Sequence, residues 1–285
     1  MAPRGDGLDW FAASDGVEIG YREAGRGRTL LMLHGLMAHG EFWSAQQPLA
    51  EKFRLIAPDL RGHRESPAPP HSVTVERLAR DMEELAERLD LRDTIVIGWS
   101  LGAAISWLLL TGAASHRFAG SVVVDMTPRV LNGADWQLGL TPDLVEARRT
   151  AFREDFPAFA RAAGPAILAQ PVADEKAGLA TWAGEEFAGN DADAMAHLWD
   201  SLAAQDGRAL LPKIGQPTLI IHGAHSQLYA ADTAHFLGHA LADARTVEFS
   251  QSGHAPHLEQ PELFNQQIMT FAATLTANED APTIA

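Results

Sequence analysis

Five residues near the middle of the chain, Gly98-Trp99-Ser100-Leu101-Gly102, set a serine between two glycines. They directly follow the β-branched run Thr94–Ile97 and directly precede the apolar stretch Leu101–Leu110. A serine on a sharp strand-to-helix turn presents its hydroxyl to a cleft, and the residues two before and two after it must lack bulk for the chain to double back. The bare pattern is common; its position between a buried-strand run and an apolar helix makes it specific. The helix aims its N-terminus, and the amide of Leu101, at the place where a developing oxyanion would sit. A serine hydroxyl is a poor nucleophile until a base takes its proton and a further group orients that base. His254 fits the base, in Ser252-Gly253-His254-Ala255-Pro256-His257. It follows the strand-like Arg245–Phe249 and precedes the last helix, so it falls at a strand's carboxyl edge, where catalytic groups of open α/β sheets gather. Trp99 and His257 are read as supporting residues.

Elements that could position these groups are legible from periodicity. Strand-like runs occur at Val17–Arg22, Thr29–Leu33, Arg54–Ala57, Thr94–Gly98, Ser121–Asp125, Thr218–Gly223 and Arg245–Phe249. Several are continuously apolar, as expected of strands covered on both faces. Amphipathic helical stretches lie at Val73–Leu89, Leu101–Leu110, Ala230–Leu241 and Pro261–Ala277. Alternation of the two predicts an α/β fold with a mostly parallel central sheet flanked by helices. The close spacing of Val17–Arg22 and Thr29–Leu33 predicts an antiparallel hairpin, turned by Ala24-Gly25-Arg26-Gly27-Arg28 rather than using these glycines as a phosphate cradle. The segment from about Thr127 to Leu211 has no convincing strand, many alanines and scattered aromatics, and is too long for a loop. It is expected to be a helical cap over Ser100. The expected division is therefore a core of residues 1–127 and 212–278, a helical cap at 128–211, and a frayed tail at 279–285.

The 285 residues carry 22 basic and 37 acidic side chains, a formal charge of −15, and no cysteine. Disulfides and cysteine-based metal sites are excluded. A surface this acidic repels nucleic acid and anionic membranes. No apolar leader and no stretch of about 20 apolar residues occurs, so a cytoplasmic protein is expected. His235 and His239 stand four apart on a predicted helix, but without the glutamate of a zinc pattern they read as exposed helix residues, and no metal or cofactor is expected.

These motifs resemble the α/β-hydrolase superfamily, and the likeness, to a serine-esterase type of member, runs through nearly the whole chain. The resemblance implies that His34-Gly35 opens an oxyanion loop, with the backbone of Leu36 as one donor and Leu101 as the other, and that His34 packs rather than catalyses. Asp59-Leu60-Arg61-Gly62 matches a second family motif, but the chain continues His63-Arg64-Glu65-Ser66, where a further glycine usually precedes the serine. The family's acid usually follows the penultimate strand; here that segment reads His222-Gly223-Ala224-His225-Ser226, and a serine occupies the slot. Serine cannot balance an imidazolium. Asp125, after Val122-Val123-Val124, is the candidate acid, since a carboxylate buried at a strand end needs a partner. Some esterases of the family share this arrangement. The alternatives are that Asp125 only caps the following segment, or that Ser226 holds a Ser100–His254 dyad.

The implied chemistry is acyl transfer, with Ser100 as nucleophile, His254 as base and Asp125 as orienter. A serine at the elbow argues against the family members that use aspartate there. Carboxylesterase, thioesterase, enol-lactonase and cofactor-free perhydrolase chemistry remain open on this triad, as does a non-catalytic small-molecule binder. The expected partner is a neutral, moderately apolar ester of small to medium size. The elbow also resembles that of esterases acting on a carrier-bound pimeloyl methyl ester, but the acidic surface disfavours docking an acidic carrier.

Overall fold

The computed structural model describes residues 8–275. Eight strands form one sheet in the order β1-β2-β4-β3-β5-β6-β7-β8. They are β1 (Leu8–Ala12), β2 (Glu18–Gly25), β3 (Arg28–Leu33), β4 (Phe53–Pro58), β5 (Thr94–Trp99), β6 (Phe118–Val124), β7 (Thr218–Gly223) and β8 (Ala244–Phe249). From β4 onward through the sheet order the pairing is parallel, while β2 runs antiparallel to both its neighbours. Every residue of β5 and β7 is buried, which explains their unbroken apolar sequence.

The early strands correct the predicted hairpin. β2 is antiparallel, but its partners are β1 and β4, and β4 lies between β2 and β3. Ala24–Arg28 is therefore a link that passes over β4, not a hairpin turn. Gly25 and Gly27 both take positive φ there, and a Cβ on Gly25 would collide with the backbone of Ala50 and Phe53. The true hairpin partner, β1, is a short edge strand with only two buried residues, Leu8 and Phe11, too little periodicity to read.

Helices α1 (Val75–Arg88) and α2 (Leu101–Thr111) precede an insertion between β6 and β7. The insertion contains α3 (Pro142–Glu154), α4 (Phe156–Ala166), α5 (Ala177–Ala188) and α6 (Ala192–Ala204). Its many alanines and glycines permit close crossings: a Cβ on Gly164 of α4 would collide with Ala180 and Gly184 of α5. Helices α7 (Ala231–Ala240), α8 (Pro256–Glu259) and α9 (Pro261–Thr274) complete the chain. Helix α9 ends three residues before the predicted Ala277, and the expected tail at 279–285 lies outside the described residues. No helix among the described residues is long and apolar enough to cross a membrane.

Candidate active site

Ser100 joins β5 to α2 with φ 52° and ψ −116°, a region costly for any residue but glycine. The turn is held by Ser100 N–H donating to Val124 O (2.9 Å) and by Ala103 N–H donating to Ser100 O (2.8 Å). The flanking glycines are sterically fixed: a Cβ on Gly98 would meet Gly102 and Ala103, and one on Gly102 would strike Leu33 of β3. Sequence and strain therefore agree that this serine is displayed at a cost.

Asp125 directly follows β6 with φ 44°, anchored by its own N–H donating to Ile221 O (2.8 Å). Both Asp125 and His254 are almost fully buried. His254 Nδ1 and Asp125 Oδ2 are 2.6 Å apart, a pairing that selects the Nδ1–H tautomer and leaves Nε2 as an acceptor. Ser226 does not touch the imidazole. Its hydroxyl donates to the same Asp125 oxygen (2.7 Å) and accepts from the amides of Leu228 and Tyr229 (3.3 and 3.4 Å). Of the alternatives, the geometry places the carboxylate directly behind the ring and the serine behind the carboxylate.

His254 is held from three sides. Trp99 Nε1–H donates to its carbonyl (2.8 Å), its own N–H donates to Ile167 O (2.8 Å), and Tyr229 meets its ring edge-on. His257 lies behind Trp99, its ring 4.7 Å from the indole and 4.4 Å from that of Trp43. Both its nitrogens lack a hydrogen-bond partner among the described residues, and burial pushes its pKa well below the usual histidine range. It packs as a neutral ring.

Leu36 lines the cavity above Ser100, and no turn, loop or cap hydrogen bond among the described residues uses the N–H of Leu36 or Leu101. The loop that carries Leu36 is built on two buried histidines. His34 Nδ1 meets Gly35 O (2.8 Å) while its Nε2 accepts from Leu60 N–H (2.9 Å). His63 Nε2 accepts from Met37 N–H (3.2 Å), and the two rings meet edge to face. Burial pushes His34 well down and His63 down to about 4, so both stay neutral acceptors. Arg64, where the family motif has glycine, keeps a positive φ of 39°, so the loop retains a glycine-like backbone. Its guanidinium binds Glu186 of α5, which also takes His39 Nε2 (3.0 Å), and Asn190 Nδ2–H donates to Met37 O (2.6 Å).

Ser100, His254, Leu36 and Trp99 face one cavity of about 450 Å³, roofed by α3, α4 and α6. Its lining is mostly aliphatic and aromatic, as in typical small-molecule sites. Three contributors escaped the sequence reading. Glu259, five residues past His254, is buried and accepts from Gly253 N–H (2.6 Å) and Ala169 N–H (2.7 Å), fastening the loop after α4 to the histidine loop. Tyr229 and Arg148 line the cavity, and no motif announces either. The predicted His235 and His239 sit on α7 away from the cavity lining, His239 bonding the His235 carbonyl one turn back.

Residues 28–261 match the family described as alpha/beta hydrolase fold. A pimeloyl-[acyl-carrier protein] methyl ester esterase of Nitrosomonas europaea is 31% identical over 254 residues, 87% of this chain and 97% of that protein. An esterase from Exiguobacterium antarcticum matches with a TM-score of 0.87 at 25% identity, over 93% of this chain and 99% of its own. The enol-lactonase from Burkholderia xenovorans matches at 0.84 and 23% identity, over 93% and 100%, a likeness of fold. The chain belongs to the α/β-hydrolase family.

Proposed function

We propose that the chain is a carboxylic ester hydrolase working through an acyl-enzyme on Ser100. The Ser100 oxygen attacks the ester carbonyl and its proton passes to His254 Nε2, while the Asp125 carboxylate stabilises the imidazolium through Nδ1–H. The amides of Leu36 and Leu101 hold the oxyanion. Collapse breaks the acyl–oxygen bond, and the leaving alkoxide takes the proton from His254. Water, deprotonated by the same imidazole, then attacks the acyl carbon; the free acid leaves and Ser100 recovers its proton.

The observation that carries this reading is the 2.6 Å pairing of His254 with a buried carboxylate, on the wall of a cavity that also exposes a strained serine. Residues 128–211 act in it as a cap that selects substrate, and the aliphatic lining favours an ester with a moderately apolar body. The curated relatives named for a carrier-bound pimeloyl ester make esterase chemistry the first choice among the reactions this triad supports. A net charge of −15 opposes docking of an acidic carrier, so a free small-molecule ester is the proposed substrate.

Labelling with a fluorophosphonate probe, beside turnover of a p-nitrophenyl ester series, tests the proposal. Rapid labelling at Ser100 and hydrolysis abolished in Ser100→Ala are expected. Labelling without turnover would favour a binding protein, and the absence of both labelling and turnover would overturn the mechanism.

A further inference from the structure

Arg148 projects from α3 into the lining of the cavity that holds Ser100 and His254. It makes no hydrogen bond or ion pair with any described residue, although its neighbours on the helix are fully engaged. Arg149 binds Asp200 (2.6 Å) and Glu146, and Arg153 binds the other oxygen of Asp200 (2.5 Å). Glu146 and Asp200 are thus already taken. What Arg148 does touch is a ring: its guanidinium carbon stands 5.5 Å from the centre of the Trp199 indole. Stacking of this kind fixes the plane of the guanidinium and leaves its edge N–H groups free to donate.

The rest of the lining sharpens the contrast. Ala147, Ala151, Phe159, Ala163 and Ile167 are apolar, and the cavity wall contains no carboxylate. Tyr229 faces the same cavity with no hydrogen-bond partner for its hydroxyl among the described residues. Burial lowers the pKa of Arg148 and raises that of Tyr229, the two groups interacting electrostatically. Arg148 is half-buried, and a cation held against apolar walls without a counter-charge is poorly compensated, so a ligand bringing the anion relieves that cost.

We propose that Arg148 is an anion-recognition residue, and that the substrate is an ester bearing a carboxylate on an otherwise apolar chain, such as a half-ester of a dicarboxylic acid. The inference rests on the esterase reading and narrows it. It also departs from the neutral ester expected from composition, since the acids of the insertion that outnumber its bases do not face the cavity.

Monomethyl adipate and methyl hexanoate differ in the terminal carboxylate, so the ratio of their kcat/KM values reports its recognition. Measured within each variant, the ratio cancels any common loss of activity. Wild type should favour the adipate half-ester by about tenfold or more, the scale of a charge-assisted hydrogen bond. Arg148→Met, which keeps an apolar stem against Trp199, should bring the ratio close to that of an enzyme indifferent to the charge, and Arg148→Lys should retain part of the preference. Equal turnover of both esters by wild type, or a preference that survives in Arg148→Met, would overturn the proposal and leave the esterase reading intact. If wild type hydrolyses neither ester, fluorophosphonate labelling and the p-nitrophenyl series decide the esterase reading, and calorimetry with adipate against adipamide decides the subsite. Adipate binding selectively in wild type and lost in Arg148→Met supports it; no difference between the two ligands refutes it.

Discussion

Asp125 and Ser226 share one carboxylate oxygen, and their unequal positions predict unequal effects. Asp125 holds the imidazole directly, whereas Ser226 reaches it only through Asp125. Asp125→Asn loses the anion behind the ring and reverses the hydrogen-bond preference that sets the tautomer. Its kcat should fall by up to about 10⁴-fold, as when the orienting acid of a serine triad is replaced. Ser226→Ala removes one donor to a carboxylate that keeps its imidazole partner, and should cost about tenfold or less. Steady-state kinetics on one ester checks both; the reverse ranking would move the orienting role to Ser226. Ser100, His254 and Asp125 were legible because each sits at a strand end with a local signature: flanking glycines, a glycine before the histidine, three valines before the acid. Arg148 and Tyr229 were not legible. Their importance lies in what they fail to pair with, which depends on contacts between α3 and α6 that no local pattern encodes.

The parallel strands were readable because burial on both faces writes continuous apolar runs into them. Strand β1 is not, because an edge strand with two buried residues carries too little pattern, and sequence proximity points to a β2–β3 hairpin because it does not reveal the intervening β4. The fastening of the insertion was equally invisible in sequence, since Glu259 acts through two backbone amides far apart in the chain. Burial pushes the Glu259 carboxyl up, while those amide donors pull it down. Glu259→Ala would leave the N–H groups of Gly253 and Ala169 unpaired, each costing about 1–3 kcal/mol. The variant should melt several degrees lower and be cut faster by protease near residues 167–176, with Ser100 still labelled more slowly than in wild type. Unchanged melting and proteolysis would show that the link contributes little.

Buried histidines dominate the acid response of the molecule as a whole. His34, His39, His63 and His257 are all buried, and burial pushes His39 to about 3, His63 to about 4 and the other two well below the normal range. For such groups the unfolded chain binds the proton more tightly. Their contribution is therefore complete above about pH 6.5 and is lost as pH falls toward the folded pKa values. At pH 5 each costs about 2 kcal/mol, and four together approach the whole stability of an ordinary domain. Asp59 and Glu259, whose carboxyls burial raises, act in the opposite direction and offset a part. Thermal melts from pH 8 to pH 5 should show a steep fall below about pH 6; a flat profile would contradict neutral burial of these rings.

The insertion is bolted at two places to the machinery beneath it. Asn190 and Glu186 grip Met37, His39 and Arg64 on one side, and Ile167 and Ala169 grip the backbone of His254 and the side chain of Glu259 on the other. A roof fastened to both the loop of Leu36 and Met37 and the loop of His254 moves only when those hydrogen bonds break, and breaking them disturbs the surroundings of Ser100. While those ties hold, a guest must enter past them, and the frame of that doorway governs the breadth of acceptable molecules as much as the room behind it. Breeding this enzyme toward bulkier guests would accordingly begin at the jambs, with the roof left in place.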